Sequence, residues 1–403
     1  MLDSLRSVIQ FRELELDPVE RRLARVASVA DLRRIAKRRL PGGVFDYIDG
    51  GAEDEITLGR NLGAFADIEL RPRVLRDVGE IDTTTDLFGR SHSFPLVMAP
   101  TGFGRIADPQ GELAVARAAQ RAGVPYTLST MGTRSIEEVA EVSSGEKWMQ
   151  VYVWRDRGMV KELIDRAHEA GNTTIVITVD TAVLGRRERD VRRGFTLPPK
   201  IGPETLIDGA LHPSWTLDFL RSEPITFSNV TSADADGSGT AVNLAQYINS
   251  QFDPGLSWAD IEWFRSIWPG EVVLKGVQGV DDAVIAAENG VDGIALSNHG
   301  GRQLDNAPTP IELVGPVAEA VGDRMAIICD GGVRRGSDIF KALALGADAV
   351  MIGRAYLYAL GAGGERGVDW VLDHLVSGLR QTMVLSGCTT IADIDADLVS
   401  PPR

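Results

Sequence analysis

Residues 293–305, GIALSNHGGRQLD, begin as an unbroken apolar run and end as a polar, glycine-rich cluster. A short run without polar residues on either face is typical of a strand that is buried on both sides in a parallel sheet. The cluster after it contains Ser297, His299 and Arg302, whose side chains can hydrogen-bond or ionise. Seven more short apolar runs lie between residues 94 and 354, and their sequences are FPLVMAP, YTLST, WMQVYV, TIVITVD, EVVLKG, AIICDGG and AVMIGR.

Most segments between these runs have the pattern of a helix. A helical pattern repeatedly ends in glycine two or three residues before the next strand, at Gly123, Gly171, Gly290 and Gly346. Alternating strands and helices require right-handed parallel crossovers, so eight such units predict an α/β protein with a closed (β/α)8 TIM barrel. A doubly wound open sheet is the alternative.

Local signals predict where several helices begin. Asp108 and Pro109 are expected to be the cap and first turn of a helix that ends at Gly123. Ser28 is expected to cap another helix, and Ser135 with Glu138 has the spacing of a capping box.

Three segments lie outside the regular alternation. Residues 1–27 have the character of an N-terminal arm, and residues 28–93 are predicted to form a helical cap that precedes the first strand. A long connection, residues 185–270, follows the fourth strand. We expect one barrel domain over residues 28–395, followed by a tail at 396–403.

Within the long connection, SADADGSGTA at residues 232–241 has the small, polar composition of a mobile loop.

Composition narrows the possible partners and compartment. The net charge of −15, from 42 basic and 57 acidic residues, opposes binding to nucleic acid and adhesion to anionic lipid. Cys329 and Cys388 are too few for a disulfide framework and suit a reducing compartment. No apolar run approaches the roughly 20 residues of a membrane span. We therefore expect a cytoplasmic protein, at most peripheral on the inner face of the cell membrane.

In a closed barrel, the residues at the carboxyl ends of the strands meet at one mouth. A lysine, a histidine, an aspartate and an amide on separate strands favour one catalytic site over the accidental polar ends of a non-catalytic scaffold. The strand-end residues are Thr101, Gly102, Ser129, Gln150, Tyr152, Thr178, Asp180, Lys275, Ser297, His299, Asp330, Gly353 and Arg354.

The last two strands are followed by glycine–arginine turns, DGGVRRG at residues 330–336 and GRA at 353–355. Barrels bind phosphate at this location through backbone N–H groups and helix N-termini. The turns therefore predict a phosphate site, with tight turning alone as the competing interpretation.

SNHGGRQLD, DGGVRRG, ITVDTAVLGRRERD, LVMAPTG and FDYIDGGAEDE together resemble the FMN-dependent L-2-hydroxy acid oxidases and dehydrogenases. This family includes glycolate oxidase, lactate oxidase, L-lactate dehydrogenase and L-mandelate dehydrogenase, and the resemblance extends from about residue 28 to residue 395. It implies FMN at the barrel mouth, no metal, and a homotetramer.

The resemblance also assigns the residues around the substrate. It implies that His299 takes a proton from the 2-hydroxy acid, while Asp180 holds the other ring nitrogen. Arg302 would bind the substrate carboxylate with its planar fork. The other substrate residues would be Tyr47 and Arg187 at the carboxylate, Tyr152 at the reacting oxygen, and Met131 in the pocket wall. A solvated charge run is the alternative for Arg187.

The cofactor residues follow in the same way. Lys275 would lie beside flavin N1 and O2, where a fixed positive charge stabilises negative charge on the ring. The ring edge would be held by Gln150, Thr178, Ser129 and the backbone at Thr101 and Gly102. Ser297 belongs to the same set, and Asp330 would hold the ribityl chain. The phosphate residues would be Gly332, Arg334, Gly353 and Arg354.

Two features bear on the identity of the substrate and of the electron acceptor. Gly102 and the insertion HPSWTLDFLRSEPITF, residues 212–227, resemble the dehydrogenase branch. We expect L-lactate as substrate, with mandelate-like acids as the alternative, and quinone or another acceptor in preference to O2. Asp218, Glu223 and the absence of a basic cluster argue against the insertion as a membrane anchor.

An oxidase or monooxygenase of the same family is the alternative activity. More distant rivals are another FMN barrel enzyme and a lyase that uses Lys275 as a Schiff base.

Overall fold

The computed structural model describes residues 15–194, 202–230 and 251–400. A closed barrel of eight parallel strands forms its centre, in the order β10-β3-β4-β5-β6-β7-β8-β9. The strands are β3 (Leu96–Met98), β4 (Tyr126–Ser129), β5 (Lys147–Tyr152), β6 (Thr174–Thr178), β7 (Glu271–Val277), β8 (Gly293–Ser297), β9 (Ala326–Asp330) and β10 (Ala349–Ile352). The predicted barrel is confirmed, and each predicted apolar run supplies one strand.

Helices surround the barrel. In the described residues they are α1 (Pro18–Leu23), α2 (Val29–Arg39), α3 (Gly42–Asp49), α4 (Ile56–Ala66), α5 (Glu112–Ala122), α6 (Ile136–Val142), α7 (Arg157–Glu169), α8 (Glu188–Arg192), α9 (Pro203–Leu211), α10 (Pro213–Arg221), α11 (Asp260–Ile267), α12 (Val280–Glu288), α13 (Pro310–Val321), α14 (Gly336–Ala344) and α15 (Arg354–Ser386). The predicted mobile loop at residues 232–241 lies outside the described residues.

The amino end of the barrel is closed by a hairpin. Strands β1 (Thr85–Leu87) and β2 (Arg90–His92) are antiparallel, and Leu87 packs in the apolar cluster inside the barrel. At the turn, the Phe88 ring lies 5.8 Å from the Trp148 ring. The segment 28–93 therefore contains this hairpin as well as the helices predicted for it.

The predicted start of α5 is wrong. Its N-terminal residue is Glu112, after Gly111 at φ 50°, because the Glu112 carboxylate turns back to accept the N–H groups of Gly104 and Thr133. Asp108 lies in the preceding turn. The capping box of Ser135 and Glu138 is present.

Ser28 occupies the N-cap position of α2, but its side chain makes no capping hydrogen bond. Its hydroxyl donates to Asp31 instead.

Pairing between β7 and β8 is interrupted by a bulge beside Lys275. Gly276 has φ 110°, and a Cβ there would lie 2.7 Å from the Asp180 side chain. A bulge re-aims neighbouring side chains, and here it also leaves room for a carboxylate at the end of β6.

Helices α9 and α10 follow β6 in the long connection, and neither contains a buried residue. Their exposed apolar side chains are Leu206, Ile207, Leu211, Leu217, Phe219 and Leu220. Within the described part of the chain, no helix has the length and apolarity to cross a bilayer.

Candidate active site

A cavity opens at the carboxyl ends of the barrel strands, and almost all predicted site residues line it. They are Tyr47, Thr101, Gly102, Ser129, Met131, Gln150, Tyr152, Thr178, Arg187, Lys275, His299, Arg302, Asp330, Gly332, Arg334, Gly353 and Arg354. The remaining two, Asp180 and Ser297, contact the residues of the cavity wall from behind. The structure thus brings together residues that are up to about 300 positions apart in the chain.

His299 and Asp180 form a hydrogen-bonded pair at the cavity wall. His299 Nδ1 lies 3.0 Å from Asp180 Oδ1, and the Asp180 side chain is only 3% exposed. Burial opposes ionisation of Asp180, but the attraction of His299 and Lys275 outweighs it and lowers the pKa of this carboxyl. An ionised Asp180 fixes the ring orientation, so Nε2 is the atom left to exchange a proton with a bound molecule.

The backbone turn that carries His299 is left-handed at three successive residues. His299, Gly300 and Gly301 have φ values of 57°, 64° and 72°. A Cβ at Gly300 would collide with the Arg354 guanidinium, and one at Gly301 would lie 2.7 Å from the Leu58 backbone nitrogen. Both glycines are therefore required by conformation and by space.

Lys275 lies on β7, the strand that pairs with β8, within a buried polar network. Its ammonium is 2.7 Å from Asp330 Oδ2 and donates to Ser297 Oγ at 3.0 Å. Ser297 Oγ in turn donates to the same Asp330 oxygen at 2.7 Å. Burial alone would lower the pKa of Lys275, but Asp330 and Asp180 outweigh it and raise the pKa. Lys275 is therefore a fixed positive charge at neutral pH.

Two guanidinium groups give the cavity a second positive region. Arg302 Nη1 donates to the carbonyls of Tyr47 and Gly50 at 2.7 and 3.1 Å. Arg302 and Arg187 lie 5.1 and 5.7 Å from the centre of the Tyr47 ring. Burial, followed by repulsion from Arg187, lowers the pKa of Arg302 to about 9. Within the described ranges no carboxylate forms an ion pair with Arg302, so this region favours an anion.

Another part of the cavity wall consists of neutral hydrogen-bonding groups. Gln150 accepts from Ser129 Oγ at 3.0 Å and donates to Thr178 Oγ1 at 2.9 Å. The Met131 N–H donates to Ser129 Oγ at 3.1 Å. Three neighbouring strands therefore present a pre-ordered polar edge.

The glycine–arginine turns form the far end of the cavity. Gly331 and Gly332 have φ values of 129° and 86°, and a Cβ at Gly332 would collide with the Asn61 carbonyl oxygen. Arg354, at the N-terminus of α15, donates to the carbonyls of Ile48, Gly300 and Gly50. A glycine-rich turn, a helix N-terminus and the guanidiniums of Arg334 and Arg354 have the chemistry of a phosphate site.

Sequence patterns missed several residues of this cavity. Phe252 packs edge-on against Tyr152, with ring centres 5.2 Å apart, and Phe103 packs against Tyr47 at 5.8 Å. Gln303 also lines the cavity. Its place inside the SNHGGRQLD motif was the available signal, as was the position of Phe103 directly after LVMAPTG, whereas Phe252 has no neighbouring motif.

Comparison with known proteins gives consistent relatives. A family model described as FMN-dependent dehydrogenase matches residues 36–401. The L-lactate dehydrogenase of Caulobacter vibrioides is 43% identical over 376 residues, which cover 93% of this chain and 98% of that protein.

Two solved structures have the same overall fold. The monotopic membrane protein (S)-mandelate dehydrogenase has a TM-score of 0.89 and 39% identity, with 94% of this chain and 100% of that one covered. A mandelate oxidase variant with (S)-mandelic acid has a TM-score of 0.78 and 38% identity, covering 93% and 98% of the two chains.

Proposed function

The chain belongs to the FMN-dependent dehydrogenase family, and we propose that it oxidises L-lactate to the 2-keto acid at the cavity described above. An FMN-dependent L-2-hydroxy acid dehydrogenase needs a base, a carboxylate site and a cofactor site within reach of one another. The observation that carries the proposal is the His299–Asp180 pair, placed at the same cavity as Arg302, which forms no ion pair with a carboxylate of the described residues.

FMN fits the chemistry of the two ends of the cavity. Gly332, Arg334 and Arg354 line one end of the cavity and suit the phosphate. The amide of Gln150 and the ammonium of Lys275 suit the polar edge of the flavin ring, together with Thr178, Ser129 and the backbone at Thr101 and Gly102. Ser297 and Asp330 would complete the set. FMN, when bound, would serve as the acceptor for the two electrons that leave the substrate.

Arg302 and Arg187 would bind the substrate carboxylate, with the Tyr47 side chain closing over it. The two carbonyls that hold Arg302 Nη1 fix the plane of the guanidinium, and a fixed fork matches a carboxylate with two parallel hydrogen bonds. This binding would orient the hydroxyl-bearing carbon toward His299.

His299 would take a proton from the bound acid through Nε2. Asp180 stabilises the imidazolium that results, because it faces Nδ1 with a negative charge. Burial, followed by the nearby Asp180 charge, raises the pKa of the Tyr152 hydroxyl. Tyr152 therefore stays protonated and can donate to the reacting oxygen.

Met131 lines the pocket wall beside Gly102, where a Cβ would lie 2.8 Å from Met131 Cβ. An unbranched thioether is adaptable, and mandelate-like acids are therefore the second candidate.

Anaerobic mixing of the FMN-loaded protein with L-lactate, L-mandelate, glycolate and D-lactate tests this proposal. Bleaching of the flavin absorbance should be fastest with L-lactate and absent with D-lactate. Faster bleaching with L-mandelate would reassign the substrate, and no bleaching with any L-2-hydroxy acid would refute the function.

The lyase alternative is disfavoured by the state of Lys275. A Schiff base requires a neutral amine, whereas Asp330 lies 2.7 Å away and raises the pKa of Lys275. Other FMN barrels would share the phosphate end, but they have no need of the His299–Arg302 pair.

For the second half-reaction we propose a quinone as electron acceptor, delivered at a membrane surface. The exposed apolar side chains of α9 and α10 support a peripheral contact. The acidic residues Glu204, Asp208 and Asp218 on these helices disfavour anionic lipid, so burial of apolar side chains would drive binding. The structural similarity to a mandelate oxidase keeps O2 as the alternative acceptor.

Flotation with zwitterionic phosphatidylcholine vesicles tests the membrane contact. The wild type should float and L206E/L220E should not, while V74E, at an exposed valine outside α9 and α10, should behave like the wild type. Reoxidation of the reduced protein should be faster with a quinone analogue than with O2, and the reverse order would identify an oxidase.

We also propose a homotetramer, which rests on the family resemblance. Light scattering should give four times the 43.5 kDa mass of the chain, and a monomeric mass would refute it.

A further inference from the structure

We infer that Gln303 is a positioning residue that holds Asp180 and the segment leading to Arg187 in place beside His299. The inference rests on the proposed function, because it concerns the base and the carboxylate site of that reaction. Gln303 would act through these neighbours and not on the reacting atoms.

All the hydrogen-bonding groups of the Gln303 amide are directed at one short segment, residues 180–185. Nε2 donates to the Asp180 carbonyl at 2.8 Å and to the Val183 carbonyl at 2.9 Å. Oε1 accepts the Gly185 N–H at 2.9 Å. Both donor positions and the acceptor are thus used, so the amide fixes this segment at three points.

Asp180 is consequently held by the turn after β8 in two ways. Its carboxylate faces His299, and its carbonyl accepts from Gln303, four residues later in the same turn. Asp180 Oδ2 is buried and, among the described residues, has no hydrogen-bond partner. The direction of the carboxylate therefore depends on how the backbone of Asp180 is held.

The same amide also controls the approach of the segment to the substrate side of the cavity. A Cβ at Gly185 would collide with the Arg302 carbonyl oxygen and lie 2.6 Å from Gln303 Cα, so the two turns are packed backbone to backbone. Arg187 follows two residues later and lines the cavity. One side chain therefore links the base, its carboxylate and a carboxylate-binding arginine.

Q303M is the informative substitution, because methionine keeps the length of the side chain and removes all three hydrogen bonds. A small displacement of reacting groups can lower turnover about 100-fold, and we expect a loss of that order in kcat/KM. The rate of flavin reduction at saturating L-lactate should fall as well, because Asp180 would no longer be aligned with His299. Q303E should be at least as impaired, because its carboxylate would face two carbonyls.

A second measurement is independent of activity. In FMN-loaded Q303M, hydrogen exchange of the peptide that contains Gly185 should be faster than in the wild type, because the partner of its N–H is gone. Q110M is the matched control, since Gln110 is exposed and, in the described structure, its side chain hydrogen-bonds only to Arg117. It should leave kcat/KM, flavin reduction and exchange unchanged.

Three results separate the possibilities. Faster exchange at Gly185 with lowered kcat/KM and slower flavin reduction supports the inference. A lower melting temperature with wild-type kcat/KM, flavin reduction and exchange would overturn it and leave only a structural role. If the wild type and Q110M oxidise no L-2-hydroxy acid, the proposed function fails, and unchanged exchange in Q303M would still overturn the positioning role separately.

Discussion

The two ends of the barrel differ in the polarity of their buried side chains. At the amino end, Leu87 and Phe88 of the hairpin close the barrel against Trp148 and an apolar interior. At the carboxyl end, the same strands finish in buried ions such as Lys275 and Asp330. Apolar packing stabilises a fold without dictating chemistry, whereas buried charges are expensive unless they are paired.

The comparison shows how one set of short strands separates stability from function. The side chains that fill the barrel interior behind the hairpin are apolar, and those at the carboxyl ends of the strands are mostly polar. Substitutions at the two ends should therefore affect different measurements. The amino end should control the free energy of unfolding, and the carboxyl end should control turnover.

The largest effect is expected at the base. His299→Gln removes the proton acceptor, and loss of general base catalysis lowers kcat by up to about 10⁴-fold, with FMN still bound. His212→Gln is the matched control, because His212 also pairs with an aspartate, Asp208, but lies outside the cavity. Stopped-flow flavin reduction measures the effect, and near-normal rates in His299→Gln would remove the base assignment.

Next in size is a change at the amino end. Leu87→Ala leaves a cavity in the barrel interior and should lower the free energy of unfolding by about 2–5 kcal/mol. Activity per FMN-loaded molecule should stay within about twofold, because Leu87 does not line the active-site cavity. Denaturation at fixed FMN concentration gives the stability, with exposed Val74→Ala as control. A large loss of turnover would show that the two ends are coupled.

Lys275→Met tests whether the positive charge tunes the cofactor. Removing it should lower the reduction potential of bound FMN and reduce kcat by about 10²-fold, as when other preorganised charges are removed. Spectroelectrochemical titration measures the potential. Lys161→Met is the control, since Lys161 pairs with Asp165 at the surface, and an unchanged potential in Lys275→Met would contradict the assignment.

The smallest effect concerns a charged group at the carboxyl end that supports structure. Burial opposes ionisation of Asp49, but Arg33, Tyr358 and Arg189 outweigh it and lower its pKa to about 2. A depressed pKa stabilises the fold above about pH 4, and this stabilisation disappears as the pH falls toward 2. Asp49→Asn should therefore be less stable by roughly 2 kcal/mol at pH 7.

The stability difference between Asp49→Asn and the wild type should narrow with acidification. Denaturation at several pH values measures it, with Asp165→Asn on the surface as control. A difference that does not change with pH would mean that packing, and not charge, explains the effect.

Much of the barrel could be predicted from sequence, because strands buried on both faces leave unbroken apolar runs. The convergence of Lys275, His299 and Gln150 followed from topology, since parallel strands place their carboxyl ends together. The roles of these residues remain predictions. The hairpin at residues 85–92 was not predicted, because its strands are only three residues long and carry no distinctive turn signal.

Tertiary contacts explain one wrong prediction and two features that no local signal revealed. Asp108 has the local chemistry of a helix cap, but the helix begins later, at Glu112. The Glu112 carboxylate accepts the N–H of Thr133, which is distant in the sequence. Arg302 was expected to face a substrate, and nothing local indicates that the Tyr47 and Gly50 carbonyls hold it. Gln303 was overlooked because an amide reveals its partners only after folding.

At His299, the backbone conformation lowers stability and the side chain is needed for the proposed reaction. A residue with a Cβ in this conformation is less stable than glycine by roughly 1 kcal/mol, and His299 has φ 57°. Glycine at this position would relax the backbone and leave the reaction without its base. Redesign guided by stability alone would thus favour His299→Gly, which removes the proposed base. A thermostabilised version of this protein should therefore keep His299 and carry its stabilising substitutions elsewhere.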